Sequence, residues 1–138
     1  MNAKFEVVAD HSMGALRVTM GGFFTPDDVM SFLREVNLKL DALHTRPNEH
    51  LMLCDARGMR IQAQDIVGAF AEIVGSPRLR SKRLAFVNGS SLSRLQTRRL
   101  TDRDGVSFFA DLAEAEQWLF SEPTGALARA DGESLPRS

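Results

Sequence analysis

The stretch LMLCDARGMRIQAQDIVGAF, residues 51–70, changes its period halfway along. Its head, Leu51 to Cys54, is apolar at every position, the pattern of a strand covered on both faces. Its tail places Ala63, Ile66, Val67 and Phe70 on one side of a helix, which continues through Ile73 and Val74 to a stop at Gly75, before Pro77. Between head and tail lies a polar turn. Strand, turn and helix in that order form the unit of parallel sheets, and ligands collect at the carboxyl ends of such strands. The turn supplies Asp55, Arg57, Gln62, Gln64 and Asp65 but no serine, threonine or histidine. Asp55, Arg57, Gln62 and Gln64 are therefore candidate ligand or partner contacts, although an Asp55–Arg57 ion pair that only fixes the turn fits the same residues.

Working outward, RLAFVNG (83–89) is a second continuous apolar run and predicts a parallel neighbour for the first. Towards the N-terminus, KFEVVAD (4–10), the turn-like HSMG (11–14) and ALRVTMG (15–21) predict an antiparallel hairpin, with Leu16, Val18 and Met20 alternating against Arg17 and Thr19. TPDDVMSFLREVNLKLDAL (25–43) opens with Thr25 as N-cap, Pro26 at the first helical position and Asp27 and Asp28 beside the positive helix end. Val29, Phe32, Leu33, Val36, Leu40 and Leu43 recur there at helical spacing, which commits one face to a core. After the second run come SSLSRLQTRRL (90–100) as a short basic helix, VSFFA (106–110) as a last strand and DLAEAEQWLF (111–120) as a closing helix. In that helix Asp111 and Glu114 are spaced like a capping box, with Leu112, Ala115 and Leu119 inward. The resulting order, β-β-α-β-α-β-α-β-α, is that of an α/β fold: a mixed, mostly parallel sheet of about five strands and about four helices, with helices on both faces.

At 138 residues the chain reads as one domain over 1–120, followed by a tail at 121–138 rich in Pro, Gly, Ser and charge. No apolar run approaches the roughly 18 residues that cross a bilayer, and MNAKFEVVAD lacks the apolar core of a signal peptide, so the cytoplasm is the expected compartment. The single cysteine, Cys54, cannot form an internal disulfide, and within LMLCDA it reads as a packed, inert thiol. The net charge of −1 is uneven: between Ser76 and Arg103, eight basic residues stand against Asp102 alone, a local +7 that leaves −8 for the rest. Such polarity can steer an anionic partner, and a solvated helix face gives the same count.

The motifs of several activities are missing. There is no G-x-S-x-G elbow, no H-E-x-x-H, H-x-x-x-H or C-x-x-C spacing, and neither phosphate-cradling glycine pattern. His11, His44 and His50 fall near element ends away from the third strand's exit and read as surface or capping residues. No catalytic residue, metal or cofactor is expected, and the reading is not an enzyme. With no tyrosine and one tryptophan the chain lacks a stacking platform, so nucleic acid is not an expected partner. NGSSLSR (88–94) is the nearest thing to an anion site. Ser90 or Ser91 can cap the basic helix, Arg94 and Arg98 share one of its faces, and Leu92 and Leu95 are expected to point to the core. Phe23 and Phe24, before Thr25, can be core or can line a pocket or dimer surface.

Four features together resemble the SpoIIAA-like family: GGFFTPDD (21–28) opening the first helix, LCDARG (53–58) ending the third strand, PRLRSKRLAFV (77–87) entering the fourth, and FFADLAEAEQWL (108–119) at the end. The resemblance covers Lys4 to about Phe120 and implies the fold of STAS domains, found in anti-sigma-factor antagonists and anion-transporter tails. In antagonists of this fold a serine at the start of the helix after the third strand is phosphorylated by the partner kinase. Gln62, Ala63 and Gln64 occupy that region here, and none can accept a phosphoryl group. The resemblance therefore implies a STAS-like module binding a protein partner or small ligand, without the phosphorylation switch, and a homodimer is among the assemblies expected of it. The fold is also related to lipid-carrying CRAL-TRIO domains, so a carrier of an apolar or anionic lipid-like ligand is the alternative.

Overall fold

The computed structural model describes residues 2–98 and 104–121. Arg99, Asp102 and Arg103 of the basic segment, and the expected tail from 122 onward, lie outside the described residues. Five strands, β1 (Lys4–Asp10), β2 (Ala15–Gly22), β3 (Leu51–Met59), β4 (Arg83–Asn88) and β5 (Val106–Phe109), alternate with α1 (Pro26–Leu43), α2 (Gln64–Val74), α3 (Ser91–Arg98) and α4 (Leu112–Phe120) in the expected order. The strands lie side by side in chain order; β1 and β2 are antiparallel, and β2 to β5 are parallel. The mixed, mostly parallel sheet read from the sequence is the one observed.

The order of the strands decides where the helices go. A sheet that always grows in one direction, with crossovers of one hand, sends its connecting helices to the same face. α1 and α2 accordingly pack on the face formed by Leu16, Val18, Met20, Cys54, Ala56, Leu84 and Phe86. Phe5, Phe24, Phe32 and Phe70 interlock there at centroid distances of 5.3–6.4 Å, mostly edge to face. Among the described residues the other face is covered by α4, which follows the last strand and is free of any crossover. Its Ala115 and Leu119 bury Leu53, Ala85 and Val87, with Phe109 and Trp118 at the margin. Helices thus occupy both faces, but on the second face α4 lies over β3, β4 and β5 and leaves β1 and most of β2 uncovered among the described residues. Arg17 ties the hairpin to α4, its guanidinium donating to Asp10 at 2.9 Å and to Glu116 at 2.7 Å.

The ends of the elements follow their local chemistry. Thr25 accepts from the Asp28 amide while the Asp28 carboxylate accepts from the Thr25 amide, a full reciprocal cap, with Pro26 at the first helical position. α2 stops at Gly75, and Asp111 caps α4 by accepting from the Glu114 amide. Gly22 has φ 79°, and a side chain there would collide with the Asn2 carbonyl, so only glycine ends β2 in this way. Among the described residues no helix is long and apolar enough to cross a membrane.

Phe32 is 3% exposed and touches three of the core rings. Phe32→Ala should cost about 3–5 kcal/mol in a denaturant titration, and an unshifted midpoint would refute the core assignment.

Candidate functional site

Two buried carboxamides organise the end of the sheet where the parallel strands exit. Gln62 is 7% exposed. Its Oε1 accepts from the Phe24 amide at 2.9 Å, and its Nε2 donates to the carbonyls of Gly22 at 2.9 Å and Arg60 at 2.6 Å. Its backbone is bound in turn by Gln96 of α3, which accepts from the Gln62 amide at 3.0 Å and donates to the Gln62 carbonyl at 3.1 Å. One residue therefore joins the end of β2, the end of β3 and α3. Asn88, 3% exposed at the end of β4, donates to Ser93 Oγ at 3.2 Å and accepts from Thr97 Oγ1 at 3.4 Å. A buried amide without partners would cost more than most apolar contacts return, so α3 turns its hydroxyls inward to meet it.

That requirement overturns the sequence expectation for α3. Leu92 and Leu95 do not point to the core: they are 61% and 56% exposed, whereas Ser93 is buried. Leu92 stands one turn before Gln96, the residue bonded to Gln62. Ile61 is 41% exposed, and Phe23, which precedes the clamped Phe24 amide, is 43% exposed beneath the Arg60 guanidinium at 5.4 Å. Apolar and basic groups thus share one end of the sheet. Phe24, by contrast, is core.

The other expected site residues distribute as follows. Asp55 and Arg57 form a two-pronged ion pair, Nε to Oδ1 at 2.9 Å and Nη2 to Oδ2 at 2.8 Å. They do not lie in a turn, as their polarity suggested, because β3 runs on to Met59. Past the end of β4 the strand still pairs with β2, where Gly21 lies against Gly58 across a register shift. The Arg57 carbonyl would be 2.7 Å from any Cβ at Gly89, so the exit of β4 needs glycine to pass. Gln64 is exposed at the start of α2. Ser90 caps α3 by accepting from the Ser93 amide at 3.1 Å, and Ser91 begins the helix. Arg94 is half-buried, and Arg98 lies over the Phe108 ring at 5.1 Å, so part of its charge is directed at an aromatic face.

Asp55 and Cys54 depart from their ordinary pKa values in opposite directions. The Arg57 guanidinium bonded to Asp55 holds that carboxyl below its ordinary value. Burial pushes the Cys54 thiol up to about 12, and its sulfur lies 3.5 Å from Met20 Sδ, so it is a packed thiol. His50, expected at the surface, is 1% exposed. Its carbonyl accepts from the Lys82 amide at 2.8 Å, which draws it under the helices as the first residue of the β3 run. The signal was its place at the head of the apolar run HLMLCDA. With Ser81, Thr97, Met20, Met52 and Phe86 it lines an apolar cavity of about 70 Å³ between the sheet and the helices. Among the described residues no three His, Cys, Asp or Glu side chains are grouped to hold a metal.

No family model and no curated protein matches the chain. Among solved structures, an uncharacterised protein of the DUF3478 family from Shewanella loihica PV-4, which has a SpoIIAA-like fold, aligns with a TM-score of 0.64 at 17% identity over 86% of this chain and 94% of that chain. The fold implied by the resemblance is thereby shown: the chain has a SpoIIAA-like fold.

Two predictions test the site's construction. Gln62→Leu strands the Phe24 amide and two carbonyls, and should destabilise the protein by about 1–3 kcal/mol in urea; a neutral result would refute the clamp. Because the Asp55 carboxyl is depressed in the folded state, its stabilisation is complete above its unfolded value and is lost as the pH falls through the folded one. Asp55→Asn should therefore be less stable than the wild type at neutral pH, with the gap closing below about pH 4. A gap independent of pH would refute the ion pair's contribution.

Proposed function

We propose that the chain is a non-catalytic, STAS-like protein-binding module of the cytoplasm, and that it docks its partner at the exit end of the parallel strands. The observation that carries this reading is the outward display of Leu92 and Leu95. A helix that turns Ser93 and Thr97 inward and exposes its leucines leaves apolar surface of the kind that marks interaction sites, and Ile61 and Phe23 are exposed at the ends of the neighbouring strands. Arg94 and Arg98 lie on the same helix as the leucines and Arg60 lies over Phe23, which favours a partner that carries acidic groups beside apolar ones. A second copy would set arginine against arginine at this surface, so a different protein fits it better.

Phosphorylation of the kind used by anti-sigma-factor antagonists has no acceptor at Gln62, Ala63 or Gln64, so regulation of this surface would take another route. The alternative, a carrier of a lipid-like molecule, needs a pocket of about 300 Å³ or more. The internal cavity of about 70 Å³ supports the docking reading instead.

The test is Leu92→Ser combined with Leu95→Ser. Both side chains are exposed, so the variant should unfold within about 0.5 kcal/mol of the wild type. A partner captured by the wild type and then purified should bind the variant at least tenfold more weakly, the loss expected of about 1.4 kcal/mol or more at an interface centre. Equal binding of that partner by both proteins would refute the assignment.

A further inference from the structure

The outer edge of β1 lies at the other side of the sheet and is independent of the α3 surface. β1 is an edge strand of seven residues without proline, and its outer backbone groups are unpaired among the described residues. Such an edge is a template for another strand unless something guards it. An open groove of about 520 Å³ runs along it, between the strand at Phe5–Ala9 and Glu35, Lys39 and Ala42 of α1. Val8, 43% exposed, and Leu38, 60% exposed, leave apolar surface on this side of the molecule.

We propose that a second copy of this chain pairs with this edge, antiparallel and centred on Val7, to form a continuous two-fold sheet. In an antiparallel pair centred on Val7, Lys4 faces Asp10 of the second copy, Phe5 faces Ala9, and Glu6 faces Val8. Every pair keeps the helix-covered side chains on one face and the others on the opposite face. Opposite charges meet at both ends, and no like charges face each other. Slipping by the smallest step that preserves the faces brings Glu6 against Glu6 in one direction and Glu6 against Asp10 in the other, and like charges directly opposite are destabilising. The centred register pairs all seven residues of the strand and sets Lys4 against Asp10 at both ends, which neither of these slipped registers does. In the helical layer Glu35 and Lys39 lie one turn apart, 3.9 Å from each other, and line the same groove, so that side too carries both signs of charge.

The arrangement is tested by light scattering coupled to gel filtration over a concentration series, with the full chain. The wild type should show a concentration-dependent mass approaching twice 15.3 kDa. Val8→Glu sets glutamate against Glu6 twice, and should keep a native circular dichroism spectrum while raising the dimer dissociation constant at least about tenfold. Register is read by mixing two single variants, Glu6→Cys and Val8→Cys, under oxidising conditions. Cross-linked dimer should form in the mixture and far less with either variant alone, the native thiol at Cys54 being buried. A monomer at every concentration overturns the proposal, as does equal dimerisation of wild type and Val8→Glu, or equal cross-linking in all three samples. A monomer whose β1 amides resist hydrogen exchange assigns the edge to another segment of the same chain and overturns it as well.

Discussion

A buried carboxamide has to find a partner for each of its donors and acceptors, and in this protein that constraint is met at Gln62 and Asn88. Gln62 fixes where β2 ends, where β3 ends and how α1 begins, because all three segments supply its hydrogen bonds. Asn88 fixes the rotation of α3, because only a face carrying Ser93 and Thr97 can satisfy it. The displayed leucines are the consequence of a polar requirement beneath them. A helix rotated to bury Leu92 and Leu95 would leave the Asn88 amide in an apolar setting without partners, a cost of about 1–3 kcal/mol that leucine burial would have to exceed.

The sequence made the architecture legible wherever periodicity records burial directly. The alternation of Leu16, Val18 and Met20, the apolar runs at 51–54 and 84–87, and the stripe from Val29 to Leu43 are all direct imprints of the layers they occupy. Thr25, Pro26, Gly75 and Asp111 announce element ends because capping chemistry is local. The misreadings share a different cause. Asp55 and Arg57 look like a turn because their side chains are polar, yet the strand continues there through backbone pairing with Gly21 and Gly22, residues more than thirty positions away. Leu92 and Leu95 look inward because leucine usually does, and the overriding group, Asn88, belongs to another element. His50 was placed at the surface by residue type, although its neighbours in the run were already buried. Of the candidate site, Ser90 as the cap of α3 followed from local rules, while the clamp at Gln62 had no local signature: a glutamine in a polar stretch looks the same whether it is solvated or holds three segments together.

The charge asymmetry takes a definite form in the structure. Arg83 stacks over Trp118 at 4.2 Å and donates to the carbonyls of Trp118 and Ser121, so one of the eight basic residues is consumed in closing α4. Arg78 bonds Asn37 and Asp41 of α1. Of the eight, Arg94 and Arg98 belong to α3, on the helix that exposes Leu92 and Leu95.

The order of the strands has a consequence for how the chain is made. Each strand from β2 onward lies next to the strand that precedes it in the chain, so none has to be threaded between two partners already in place. The topology lets each strand, as the polypeptide leaves the ribosome, pair with the edge of the strand made just before it. Assembly can therefore run in step with synthesis, from the hairpin outward, and the growing edge is covered in turn by each new strand.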